Sequence, residues 1–260
     1  MIYRYMRLPN HIIPFEYHIN IKPIEPYDKF VGKCSIIFEN TNTNLNYIIV
    51  NGFNLNILKV KLISIDTKYN LLNISHDIKT QQIKFTFNEL VPKMGIIIIK
   101  YEGMITTDLS GLYKYYENDK LMMVTQFEPT YARRCFPCLD EPNYKSIFNL
   151  SITTPHDNFT ILSNTDVKTI KQNTYTFHPT PKMSTYLLAF FIGHSNYIEE
   201  ITNDVRIRIY SPKEPKYSLL ALNTTIKCLQ FMTDYFGEQY PLNKLDLISI
   251  PKFSAEAMEN

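Results

Sequence analysis

Tryptophan is absent from this 260-residue chain, while Tyr, Ile, Asn and Lys are abundant. That imbalance fits an A/T-rich coding sequence and carries no functional information. Long apolar runs are also absent. The longest, at 96–99 and 187–192, are strand-sized, well short of the roughly 18–20 residues a membrane helix requires. The first residues, Met1 to Arg7, hold no apolar stretch and no small-residue cleavage site. The expected location is therefore cytoplasmic, with no membrane partner, and the sequons at Asn73 and Asn158 have no secretory meaning. Charge of one sign is missing too. A formal net charge of +2 gives no reason to expect nucleic acid or an acidic surface as partner. Cysteine is sparse: Cys34, Cys135, Cys138 and Cys228 include one C-x-x-C pair and no second pair to complete a four-ligand zinc site. Buried or half-buried thiols are expected. No internal repeat or low-complexity tract stands out.

What is present is a chain long enough for one large or two modest domains, with an ordinary hydrophobic fraction of 45%. Its first part reads as sheet. Tyr17, Ile19 and Ile21 alternate with polar residues up to Pro23, which is expected to stop the strand. Short β-branched or aromatic runs follow at 35–38, 47–50, 55–63, 83–87, 96–101, 121–124, 146–152, 159–162, 174–177 and 186–192. Turn residues separate most of them, and no helical periodicity intervenes. Residues 109–119 read as an excursion off the sheet. After about residue 200 the texture changes. Residues 205–210 alternate like a strand, and 216–236 carry Leu219, Leu222, Ile226 and Leu229 at helical spacing. Ala221, Cys228 and Met232 widen that stripe. Pro215 suits the first turn, Gly237 suits a C-terminal cap, and 245–250 is a further strand. The expected class is mostly β, divided into 1–200 and an incomplete strand-helix-strand unit at 201–260.

The densest run of chemically specific residues is Thr125-Gln126-Phe127-Glu128-Pro129 through Arg133-Arg134-Cys135-Phe136-Pro137-Cys138-Leu139-Asp140-Glu141-Pro142. If the strand continues, Gln126 and Glu128 share a face and together can grip a cation that donates hydrogen bonds, such as a free amino terminus. The plainer alternative is a solvated glutamate before a proline at a strand end.

The run TQFEPTYARRCFPCLDEP resembles the TQFEPTDARRAFPCWDEP signature of zinc aminopeptidases of the aminopeptidase N and puromycin-sensitive type. Other segments agree in order: Arg7-Leu8-Pro9, Tyr101-Glu102-Gly103 with Gly111-Leu112-Tyr113, Met183 to Phe190 (MSTYLLAF), and Ala257-Met258-Glu259-Asn260 against the end of GAMEN. The resemblance implies a β-sandwich or saddle domain followed by the start of a thermolysin-like catalytic domain. It implies that Gln126, Glu128 and Glu259 bind a substrate's α-amino group, and that a strand containing Glu256, Ala257 and Met258 pairs with the substrate backbone. An internal peptide would leave the carboxylates unpaired, which makes exopeptidase action the expectation. Glu256 stands where the motif has glycine. Tyr131 and Leu139 are milder departures, expected to affect packing.

The family's metal motif, His-Glu-x-x-His, is not in the sequence. His11, His18, His76, His156, His178 and His194 include no pair four apart. The expectation is a chain with the amine-recognition elements of a zinc aminopeptidase but no catalytic residue and no bound metal. It would be inactive alone, with peptide and the missing catalytic region as partners. The alternative is a non-catalytic aminopeptidase-like peptide-binding or scaffold protein; a merely similar β-rich binding domain is a third.

Overall fold

The computed structural model describes residues 7–65, 67–156 and 158–258. Most are in four sheets. The largest has eight strands, ordered Val167–Lys171, Thr174–Phe177, Ile147–Thr153, Ile12–Ile24, Lys29–Asn40, Met94–Met104, Asn56–Ser64 and Thr67–Tyr69. All its pairings are antiparallel except that of Ile12–Ile24 with Ile147–Thr153, which is parallel. Its buried face alternates as a half-buried sheet should: Tyr17, Ile19, Ile21, Cys34, Ile36, Phe38, Ile97, Ile99 and Tyr101 point inward. A three-stranded sheet of Tyr47–Asn51, Gln82–Phe87 and Leu71–Asp77 adds Ile48, Val50, Ile83, Phe85 and Phe87 to the same core.

Two glycines mark close cross-strand packing. Gly32 faces Tyr101, and Phe30 faces Gly103, in the ladder between Lys29–Asn40 and Met94–Met104. A Cβ on Gly32 would lie 2.2 Å from the Tyr101 ring, and one on Gly103 would lie 2.3 Å from the Phe30 ring. The two rings meet edge to face, with centroids 6.2 Å apart. The Tyr-Glu-Gly segment is thus a packing device.

The third sheet runs Thr160–Ser163, Phe190–Gly193, Lys120–Gln126, Gly111–Glu117. The fourth runs Asn196–Thr202, Val205–Ser211, Lys244–Ile248, and packs against helix Leu219–Phe236 through Leu222, Ile226 and Leu229. Gly237 caps the helix in the left-handed conformation (φ +69°), with its N–H on the Thr233 carbonyl at 2.9 Å. Charged groups fasten this last sheet to the rest. Buried Lys244 donates to the Ser163 carbonyl and to Asp246, both at 2.6 Å; Arg208 holds Asp246 with two bonds, and Arg206 pairs with Asp166.

Several expectations need correction. Pro23 does not stop its strand, which runs to Ile24. The parallel partner ends its pairing at Ile21, so Pro23 faces no donor demand on that side. Residues 109–119 are no excursion: Gly111–Glu117 pairs with Lys120–Gln126 across the turn Asn118-Asp119, both at positive φ. The run 186–192 is a 3-10 turn, Thr185–Leu187, followed by strand Phe190–Gly193. On the helix, Leu219, Cys228 and Met232 are exposed, outside the buried stripe. Cys228 is therefore an exposed thiol, whereas Cys34, Cys135 and Cys138 are buried.

Candidate functional site

Strand Lys120–Gln126 sorts its side chains between two cores. Leu121 and Met123, with Phe127 just beyond, enter the main core, where Phe127 meets Phe136 and Phe190 edge to face. Met122 and Val124 join a second cluster with Tyr113, Tyr115, Leu162, Phe191 and Tyr210. By pleat, Gln126 follows Met122 and Val124. Its side chain is buried, and its Oε1 accepts no hydrogen bond. That is unusual for a buried amide and marks a group able to accept one from elsewhere.

The strand ends at Gln126, so strict alternation does not carry on to Glu128. Phe127 is buried, and Glu128 is exposed ahead of a cis bond to Pro129. Tyr131 N–H caps the turn by donating to the Phe127 carbonyl at 2.7 Å. The two predicted residues stand two positions apart at one strand end, one sheltered and one in solvent.

The rest of the signature is fastened inward. Asp140, 2% exposed, accepts from Arg133 Nε at 2.9 Å and from Thr185 Oγ1 at 2.6 Å. Its own N–H reaches Asn51 Oδ1 at 3.0 Å. Asn51 and Cys138 exchange backbone bonds of 2.7 and 3.1 Å. Glu141 accepts from Leu8 N–H at 2.7 Å, and Ser184 Oγ donates to the Pro142 carbonyl at 2.7 Å. Three separated motifs, around Leu8, Asp140 and Thr185, therefore meet at one place. Tyr17 OH accepts from Leu139 N–H at 3.1 Å, and its ring stacks on Phe148 at 5.0 Å. Tyr131 lies under the Arg134 guanidinium at 4.7 Å, so this substitution does serve packing.

The C-terminal segment lies over the second cluster. Ile248, Ile250 and Phe253 pack against it; Tyr113 OH donates to the Lys252 carbonyl at 2.9 Å, and Ser254 Oγ donates to the Leu109 carbonyl at 2.9 Å. Burial pushes the Tyr113 hydroxyl well above the ordinary tyrosine range, which keeps it a donor. The segment thus covers the face to which Gln126 belongs. The strand expected to carry Glu256, Ala257 and Met258 is not formed. Residues 251–258 are bends and irregular backbone, with Glu256 and Ala257 exposed and Met258 half-buried. Ala-Glu-Ala-Met offers no β-branched residue to favour extension. Glu259 lies outside the described residues.

Sequence reasoning gave no role to Arg133, Asp140 or Thr185. An Arg and an Asp seven apart around a Phe-Pro-Cys core was the available signal. Among the described residues no three of His, Cys, Asp and Glu are grouped to hold a metal ion, and no helix is long and apolar enough to cross a membrane.

The β body buries a long Arg/Asp/Pro signature and, at one strand end, holds a buried glutamine oxygen without a partner two residues before an exposed glutamate. Residues 13–187 match the Peptidase M1 N-terminal domain, and 220–260 match the Peptidase family M1 domain. The chain belongs to the M1 peptidase family. It is similar to alanine/arginine aminopeptidase of Saccharomyces cerevisiae, 33% identical over 97% of this chain and 31% of that protein. It is likewise similar to puromycin-sensitive aminopeptidase of Caenorhabditis elegans, 32% identical over 99% of this chain and 28% of that protein, and to aminopeptidase N of Haemonchus contortus, 31% identical over 97% and 28%. The chain thus spans about three-tenths of the length of these curated relatives.

Proposed function

We propose that this chain is the amine-recognition part of a zinc aminopeptidase, using Gln126, Glu128 and Glu259 to hold the free amino terminus of a peptide. The observation that carries this is the buried, unpartnered Gln126 oxygen at the strand end, with solvent-exposed Glu128 two residues on. An ammonium has three donors, which one amide oxygen and two carboxylates can satisfy. Glu256, Ala257 and Met258 would offer backbone to the peptide, with the Glu256 side chain adding a third carboxylate at the entrance.

The residues present do not fit a zinc site: the sequence has no two histidines four apart, and the described residues group no ligand set. We propose that the chain alone binds no zinc and hydrolyses no peptide, and that hydrolysis requires a catalytic region whose zinc supplies the activated water. A cytoplasmic location, with no membrane or nucleic-acid partner, fits the balanced charge and apolar runs no longer than a strand. A division near residue 200 fits the two family matches, which end at 187 and begin at 220. The second reading, a non-catalytic peptide-binding or scaffold protein, is favoured by Glu256.

The test is titration calorimetry with a short peptide and its N-acetylated twin. Binding of the free amine alone is the expected result. Equal binding of both, or of neither, would sink the amine pocket.

A further inference from the structure

The solvent face of the eight-stranded sheet carries a row of lysines that folding does not explain. Lys59 stands opposite Lys100 where Asn56–Ser64 pairs with Met94–Met104, and Lys100 stands opposite Lys33 of Lys29–Asn40. All three are exposed. With strands about 4.8 Å apart, three positive charges leave the sheet within a span of about 10 Å. Like charges directly opposite one another destabilise a sheet. Among the described residues the lysines in ion pairs are Lys114, Lys216 and Lys244, so this row has no carboxylate of its own. Glu102, one row along, instead accepts a bond from Asn56 Nδ2 at 3.5 Å. The row is a cost to the fold, and an anion is what would relieve it.

The row runs on into neutral polar groups. Lys33 faces Asn20, Asn20 faces Ser151, and Ser151 faces Thr176. Over these residues lies a cleft of about 200 Å³, which His18, Ser35 and Asn149 of the adjoining row also line. Asn20 Nδ2 donates to Ser151 Oγ at 3.0 Å, which fixes the amide and leaves its oxygen to accept. The Thr176 and Ser35 hydroxyls can donate or accept. Amide and hydroxyl groups of this kind suit a polyhydroxylated ligand. Pockets for drug-sized ligands run to about 300–1,000 Å³, so this one takes something smaller, on the order of one sugar ring. The lining is unlike a protein-docking surface, whose centre is apolar and poor in Lys and Ser. The segment matched to the M1 domain packs elsewhere. Its Ile248, Ile250 and Phe253 lie on the cluster of Met122 and Val124, on the face of the third sheet turned away from the main core. The third sheet and the main core therefore stand between that segment and the lysine row.

We propose that the row and the cleft together form a binding site for a phosphorylated sugar, with the phosphate on Lys33, Lys100 and Lys59 and the sugar hydroxyls in the cleft. The site is independent of the amine pocket. Titration calorimetry of the chain with glucose 6-phosphate, inorganic phosphate and glucose tests it. Glucose 6-phosphate should bind tightest of the three, and its affinity should fall with added salt. Lys100→Ala should weaken it about tenfold, the worth of one charged hydrogen bond, while Lys100→Arg should keep it. Asn20→Ala with Thr176→Ala should bring glucose 6-phosphate down to the level of inorganic phosphate. Lys100→Glu separates a ligand site from a structural role: it places a carboxylate between Lys33 and Lys59, so it should raise the urea midpoint while abolishing binding. No binding of glucose 6-phosphate, or binding no tighter than that of inorganic phosphate, would overturn the proposal. So would binding unmoved by Lys100→Glu, which would put the ligand elsewhere on the molecule. An acidic peptide that binds tighter than the sugar phosphate would overturn it as well and give the row to polypeptide.

Discussion

The signature loop, 127–142, and the C-terminal piece, 220–258, both lie in regions matched to the M1 family, yet they are held in opposite ways. In the loop, Phe127, Ala132, Cys135, Phe136, Cys138, Leu139 and Asp140 are all at or below 2% exposure, and most polar groups have named partners. In the C-terminal piece only Leu222, Leu229 and Lys244 are buried, and residues 254–257 are exposed. A long signature is therefore mainly a record of packing. The unpartnered Gln126 oxygen and the exposed Glu128 stand at its edge, where the strand ends and the second cluster begins.

The sharpest break of that contrast is Asp140→Ala. It leaves Arg133 half-buried without its carboxylate and Thr185 without its acceptor, and should cost about 3–5 kcal/mol. Phe231→Ala, on the exposed helix face, should change stability by under about 0.5 kcal/mol. Urea denaturation of both variants measures the difference. Similar costs for the two would mean that the loop is not the rigid region.

Alkaline pH should also act on the loop first. Burial pushes the thiols of Cys34, Cys135 and Cys138 well above their ordinary range. The folded state thus keeps protons that the unfolded chain releases. Their contribution is complete below the unfolded thiol pKa of about 8.5, and above it is lost at about 1.4 kcal/mol per thiol per pH unit. The urea midpoint should hold from pH 7 to about 8 and fall steeply beyond about 9. A flat midpoint to pH 10 would contradict the burial. In native protein a thiol reagent should label Cys228 and spare the other three.

A smaller effect is expected at Gly103. An alanine Cβ would meet the Phe30 ring, itself wholly buried, and should cost about 1–3 kcal/mol through overpacking. Adding Phe30→Leu should recover part of the loss, because the two residues are direct cross-strand partners. Additive losses would show that the ring is not what the glycine accommodates.

These residues also show what the sequence made legible. The alternation of Tyr17, Ile19 and Ile21 and the 3.6 period of Leu222, Ile226 and Leu229 located a sheet face and a helix face, because burial on one side imposes those periods. Three hairpins were legible only in their second strands, 121–124, 174–177 and 205–210, and their first strands, Gly111–Glu117, Val167–Lys171 and Asn196–Thr202, escaped notice. Their two-residue turns are Asn118-Asp119, Gln172-Asn173 and Asn203-Asp204, all at positive φ without glycine. Asn and Asp tolerate that conformation, but they are also common in ordinary loops, so the signal is weak. Leu219 fits the helical stripe on paper, yet falls outside the face that the sheet covers. The site was legible only through its signature. Local spacing placed Gln126 and Glu128 on one strand face, and the strand ends too soon for that. The meeting of Leu8, Asp140 and Thr185 is a tertiary event that no local window contains.

The least disruptive change is the most informative about the site. Glu128 is exposed and belongs to neither core, so Glu128→Ala should alter stability by less than about 0.5 kcal/mol. Gln126→Leu should be near neutral or slightly stabilising, because the buried oxygen has no partner to lose. Both variants should nevertheless lose the preference for a free over an acetylated peptide terminus in titration calorimetry. That pairing, intact fold with lost amine discrimination, is the inverse of Asp140→Ala, whose binding defect should scale with unfolding and vanish when a stabilising osmolyte restores the fold. If Gln126→Leu instead destabilises the chain by more than about 1 kcal/mol, the typical worth of one satisfied hydrogen bond, its oxygen has a structural partner. Gln126 would then belong with the packed loop, and Glu128 alone would stand at the edge.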